Sequence, residues 1–225
     1  MSDTVLEVTE MNERQKRGIT FTVVGIAVFV VVVMALFLNK ITTPRALSPI
    51  ELRVNGTFVF DQPRIFKDFS LVDHRGEAFN LENLKDKWSL VFFGFTACPD
   101  VCPATLSMMK QVKDQLDADI EKQVQFVLVS VDPARDTVEQ LSQYMPYFDP
   151  EFIGLTGEFL EIKRLANQMN MAFVKVPQGD SYTIDHTANI ALVNPYGHYH
   201  GFIKPPLDNA RIKLTLQSIV SRFEK

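Results

Sequence analysis

The sequence predicts an α/β protein: a mixed central sheet with helices on both faces, plus a hairpin, behind one N-terminal transmembrane helix. Three observations predict it. An uncharged apolar run, Ile19 to Leu38, precedes a chain that alternates strand-like and helix-periodic segments. Two mostly apolar runs, Trp88 to Phe95 and Val124 to Val131, read as buried strands flanking a helix-periodic stretch, and a strand–helix–strand unit implies parallel strands with a crossover. The composition agrees: 46% of the 225 residues are hydrophobic and 18 are Phe, enough to fill a core, while Gly and Pro are too few for low-complexity disorder. That length suits one medium domain and a small appendage.

The apolar run would extend roughly 30 Å as a helix, the thickness of a bilayer's hydrocarbon core. It is longer than the about 7 to 15 apolar residues of a signal peptide, and it ends in Phe37, Leu38, Asn39 and Lys40, with no small-x-small cleavage site and no cysteine for a lipid. The predicted organisation is a cytoplasmic tail at 1–18, an anchor at 19–38, a tether at 39–56 and a folded domain at 57–225. Basic residues tie across the helix, Arg14, Lys16 and Arg17 against Lys40, Arg45 and Arg53. A long domain translocates largely regardless of its own charge, so the short tail is placed in the cytoplasm. Asp3, Glu7, Glu10 and Glu13 make that tail too acidic for a mitochondrial transit peptide. The expected setting is a bacterial inner membrane, with the C-terminal domain in the periplasm.

The tether carries Pro44 and Pro49 and no sustained period. Asp73 to Gly76 reads as a hairpin turn. Ala104 to Ala118 reads as a helix, with Leu106, Met109, Val112 and Leu116 on its buried face. Asp136 and Glu139 resemble a capping pair for a helix carrying Val138, Leu141, Tyr144 and Met145 toward Pro146. Further helices are expected at 158–170 and 208–223, and strands at 189–193 and 198–203 around the turn Asn194 to Gly197. Beyond residue 40 the chain carries 19 basic and 23 acidic residues, which argues against nucleic acid as a partner.

The only two cysteines, Cys98 and Cys102, fall where the first buried strand ends and a helix begins. Four-residue spacing on a helix brings two sulfurs to one side, and Pro99 and Pro103 are tolerated in a first turn. Free amides and the helix dipole there favour thiolate. Metal binding and redox exchange both follow from such a pair; the blander alternatives are inert thiols or a local disulfide, which stabilises little across so short a loop. Two thiolates suit a thiophilic ion such as Cu(I), and one neutral imidazole would complete a trigonal site. Of four histidines, His186 is the candidate, in a loop just before a central strand, although a lone loop histidine is more often structural. His74 falls in the hairpin turn, and His198 and His200 alternate on a strand; these three are expected to be solvated. Met109 is read as core and Met108 as a partly exposed neighbour, neither as a thioether ligand.

Four segments in order, FTACPDVCP at 95–103, VDPARDT at 131–137, FIGLTG at 152–157 and DHT at 185–187, resemble the Sco/SenC family of membrane-anchored copper proteins. The likeness runs from roughly Gly56 to Phe223. It implies a thioredoxin-like domain that binds one copper ion, as Cu(I) with Cu(II) as a second state, and helps assemble the dinuclear copper centre of cytochrome c oxidase. The family's two metal-binding cysteines map to Cys98 and Cys102 and its histidine to His186. Asp185 also matches a family position, but on extended backbone its side chain points away from the metal, leaving a supporting role. VDPARDT is read as strand termination with helix capping by Asp136.

The expected function is therefore metallochaperone rather than enzyme, delivering copper by ligand exchange to oxidase subunit II, with a periplasmic thiol reductant keeping the pair reduced. The rival is a thiol–disulfide oxidoreductase, with Cys98 and Cys102 as its redox pair, that reduces the client's metal-ligand cysteines. Against it, three residues separate the cysteines instead of the usual two, and Asp185-His186-Thr187 occupies the region of the superfamily's cis-proline. A weaker third reading is a peroxidase resembling peroxiredoxins.

Overall fold

The computed structural model describes residues 13–42 and 46–223. The first segment is one helix, α1 (Glu13–Thr42), and its stretch Lys16–Leu38 is long and apolar enough to cross a membrane. It overruns the expected 19–38 at both ends. The tail's acidic residues Asp3, Glu7 and Glu10, the side chains of Glu13 and Arg14, and Pro44 and Arg45 lie outside what is described.

The second unit starts at Ala46, so most of the stretch read as tether is folded. Ser48 caps a short helix, α2 (Pro49–Val54), by a capping box: the Glu51 amide donates to Ser48 Oγ at 3.3 Å, and the Ser48 amide donates to Glu51 Oε2 at 2.8 Å. Leu47 and Leu52 are buried, and the Leu47 amide donates to Ser218 Oγ at 2.7 Å. Two leucines in reach of the core outweigh the two prolines that suggested an irregular segment.

Strands β1 (Thr57–Ile65), β2 (Leu71–Asp73), β3 (Ala78–Phe79), β4 (Trp88–Gly94), β5 (Val124–Ser130), β6 (Ile153–Thr156), β7 (Phe173–Gln178), β8 (Ser181–His186), β9 (Ile190–Val193) and β10 (His198–Ile203) form two sheets. Eight lie in the order β1-β10-β9-β4-β5-β6-β2-β3, while β7 and β8 pair only with each other. The centre β4–β5–β6 is parallel, in register from Trp88 against Val124 to Gly94 against Ser130, and the remaining pairs are antiparallel. Every residue of β4 is buried, as its mostly apolar sequence predicts for a central strand.

Helices α3 (Val101–Gln115), α4 (Ala118–Glu121), α5 (Val138–Phe148), α6 (Phe159–Gln168) and α7 (Asn209–Arg222) complete the domain. Helices α3 and α7 pack together, and α5 lies against β6. Along α3 the buried side chains are Cys102, Thr105, Leu106, Met109 and Val112, the expected stripe with one more turn at its start. Met109 is buried and Met108 only partly so, as read from the spacing. Helix α5 is capped by Thr137, whose Oγ1 accepts from the Gln140 amide at 3.2 Å, and not by Asp136. Asp136 is instead fully buried, for reasons the site makes plain.

Candidate metal centre

Strand β4 delivers the chain to the site. After Phe95 it turns back, the Cys98 amide donating to the Phe95 carbonyl at 3.3 Å, and α3 begins at Val101. Cys102 is therefore in the first helical turn, but Cys98 precedes the helix and its Asp100 cap position. The sulfurs meet because the loop folds over the helix start, not because both ride one helical face. The Cys102 amide, one of the donors a first turn leaves without an intrahelical acceptor, points at Cys98 Sγ at 3.4 Å. Both cysteines are free thiols.

Cys98 is half-buried and Cys102 is closed off from solvent. Gly94 makes the room: a Cβ built there would meet Cys102 Sγ at 3.0 Å, Phe92 Cε1 at 3.0 Å and Leu128 Cδ1 at 3.2 Å. Burial pushes the Cys102 thiol well above its usual range, against a lowering backbone hydrogen bond at Phe95. At this position desolvation works against the thiolate character expected of a helix start.

The third donor arrives on the β7–β8 ribbon. His186 is the last residue of β8, not a loop residue, and its Nε2 sits 3.6 Å from Cys102 Sγ. Its Nδ1–H donates to the Thr187 carbonyl at 3.2 Å, the only role that nitrogen can have toward a carbonyl, so the Nε2 lone pair faces the sulfur. Phe92 and Phe95 stand edge-on to the ring at 5.8 and 6.0 Å. Burial lowers the imidazole's affinity for a proton, opposed by the bond to Thr187 and by the charge of Asp185. Asp185 itself is exposed on the opposite face of the strand. Thr187 pins the foot of the ribbon: its amide donates to the Ala172 carbonyl at 2.9 Å, and its Oγ1 accepts from the Ala172 amide at 3.1 Å.

The donor atoms of Cys98, Cys102 and His186 all lie within 4.8 Å of one another, the one such group of three found among the described residues. Bonds of about 2.0–2.3 Å to a single ion place its donors roughly 3.5–4.5 Å apart, so the cluster is of the size that one ion requires. Two sulfurs and one nitrogen suit a soft ion. The other histidines stay out of it, but none of the three is exposed as expected. His74 is buried, its Nδ1 accepting the Gly154 amide at 3.2 Å, because the hairpin turn packs against β6. His200 is half-buried edge-on to Trp88 at 4.9 Å. His198 lies beside the Tyr196 ring.

Residues that sequence reasoning passed over hold the donors in place. Asp136, read as a helix cap, accepts from the Thr96 amide at 3.0 Å, Thr96 Oγ1 at 2.6 Å and Ser130 Oγ at 2.6 Å, fixing the cysteine loop to the end of β5. The available signal was two aspartates four apart directly after a buried strand, where polar residues that close need a buried task.

Paired soft thiols and an oriented imidazole at the end of a mixed α/β sheet define a thiolate–imidazole metal-binding protein. The SCO1/SenC family profile matches residues 60–221. This chain belongs to that family. A relative from Stutzerimonas stutzeri, named as a candidate copper-binding protein, is 41% identical over 166 residues, covering 73% of this chain and 81% of its own. The crystal structure of Arabidopsis thaliana ScoI with copper bound is 33% identical with a TM-score of 0.64, covering 70% of this chain and 98% of that one. A further structure, BsSco, is 24% identical with a TM-score of 0.59, covers 73% of this chain and 99% of that one, and is described as a member of the Sco family of cytochrome c oxidase assembly proteins; at that identity it shows the fold. The fold is the thioredoxin-like arrangement of the Sco structures, and the cluster fits one copper ion.

Proposed function

We propose that this protein is a membrane-anchored copper metallochaperone that binds one ion through Cys98, Cys102 and His186 and delivers it to cytochrome c oxidase subunit II. The observation that carries the reading is the 3.6 Å approach of His186 Nε2 to Cys102 Sγ across 84 residues of sequence. Family membership and the copper-bound ScoI structure support copper as the cargo. The Sco/SenC resemblance, which implies a part in oxidase assembly, supports the oxidase as the destination. Helix α1 anchors the chain in a bacterial inner membrane, with the domain in the periplasm, so that delivery is confined to a membrane client. An oxidising compartment would join the two thiols, and a thiol reductant must act before loading.

The burial difference between the sulfurs sets an order of exchange. Cys98 and His186 are partly open to solvent, whereas Cys102 is enclosed. A client thiolate therefore reaches the ion on the Cys98 side, and Cys102 is the last protein ligand to let go. The oxidoreductase reading draws on the same asymmetry, with Cys98 the accessible sulfur.

Titration of the reduced full-length chain in detergent with Cu(I), under anaerobic conditions, tests the proposal. Wild type is expected to take up one ion, Cys98→Ser to lose it, and His186→Ala to hold it at least tenfold more weakly. Absence of tight binding by the wild type would remove the chaperone reading. If His186→Ala loses copper yet still fully reduces a disulfide in the client's metal-ligand segment, the oxidoreductase reading takes its place.

A further inference from the structure

The β7–β8 ribbon shares no ladder hydrogen bonds with the eight-stranded sheet, so the place of its terminal imidazole depends on side chains along one face. On β8 that face carries Tyr182, Ile184 and His186, at every second residue, with Ile184 buried and the other two half-buried. Tyr182 is the polar attachment. Its hydroxyl donates to Asp132 Oδ1 at 2.9 Å, and Asp132 is fully buried just beyond the end of β5. Arg135 closes the arrangement: its Nε pairs with Asp132 Oδ2, its Nη1 donates to the Tyr182 carbonyl at 3.2 Å, and its guanidinium lies 4.0 Å from the Tyr182 ring centroid. Lys175 Nζ, from the partner strand, stands 4.1 Å from the same ring. The guanidinium also approaches the Phe95 ring at 5.8 Å, and Phe95 flanks the imidazole.

The same turn, Asp132 to Asp136, thus grips both arms of the metal centre, the cysteine loop through Asp136 and Thr96 and the histidine ribbon through Asp132, Arg135 and Tyr182. Arg135 Nη2 is buried with no partner, an energetic penalty that a purely surface arginine would avoid by turning to water. We propose that Arg135 is a positioning residue for His186, clamping the ribbon through Tyr182 so that Nε2 is held against the sulfurs before any ion arrives. The proposal rests on the copper reading of the site. Its reach is the imidazole alone, since the cysteine loop has its own tie through Asp136.

A double-mutant cycle on the full-length chain tests this. Arg135→Ala is expected to weaken Cu(I) binding roughly tenfold, in the range outer residues of metal sites command, and to have no further effect in a His186→Ala background. In the metal-free chain, amide exchange should quicken across residues 172–187 while residues 88–95 stay protected. Arg135→Lys, which keeps the cation but not the fork, should restore only part of the binding. Equal losses in both backgrounds, exchange that quickens in the central strand as well, or copper binding and exchange both unchanged would overturn the proposal. Failure of the wild type to bind copper would instead overturn the copper reading.

Discussion

The two walls of the metal centre are built to different standards. The sulfur wall grows out of β4, which is hydrogen-bonded on both sides by β5 and β9 and buried along its whole length. The imidazole wall is a ribbon bonded only to itself, and on β7 only Phe173 is buried. Displacing the sulfurs means disturbing the central sheet, whereas displacing the imidazole means breaking a few side-chain contacts. An ion held this way can lose its nitrogen ligand with the fold intact, as the proposed delivery by ligand exchange requires.

Changes aimed at each wall should separate them. The largest effect is expected from Gly94→Val, which crowds Cys102 Sγ, Phe92 and Leu128 together. Overpacking of this kind costs about 1–3 kcal/mol or more, and thermal unfolding should show a clear fall in Tm together with lost copper binding; an unchanged Tm would mean that the sulfur wall is less rigid than its burial suggests. Next comes Asp136→Asn. It turns an amide NH2 toward donors that now meet carboxylate oxygens, at about 1–3 kcal/mol, and should weaken copper binding with the His186 ribbon's hydrogen exchange unaffected. Faster exchange in the ribbon would show that the two walls are not independently held.

The smallest effect is on pH. Burial keeps His74, His186 and His200 below the ordinary imidazole range in the folded chain. The unfolded chain then binds more protons, so stability is full above about pH 6.5 and declines as the pH falls through that value toward the lowered folded values. Denaturant midpoints of the metal-free chain should drop between pH 7.5 and pH 5.5, and His74→Gln should flatten the slope. A midpoint that rises on acidification would contradict the burial of these rings.

The same contrast between walls decided what was legible in the sequence. β4, α3 and β5 could be read because each buries a continuous face and so writes a strong period. The β7–β8 ribbon left no such trace: Val174, Lys175, Val176, Pro177 and Gln178 are all exposed, so alternation had nothing to report. Helix α2 hid among prolines, although Ser48 and Glu51 form a recognisable capping pair. Cys98, Cys102 and His186 were all named from the sequence, the cysteines by placement and the histidine with the help of family resemblance, and the fold gathers their donor atoms. Their supports were not, because Thr96, Asp136, Arg135 and Tyr182 act through contacts between segments far apart in the chain, which periodicity cannot register.

The hydrogen on Nδ1 of residue 186 is already spoken for by its neighbour's carbonyl. At neutral pH the ring thus offers a bare electron pair and surrenders nothing when cargo is seated. Any acid released on loading must come from sulfur, at most two equivalents per ion, since a thiol has to give up its proton to become a ligand.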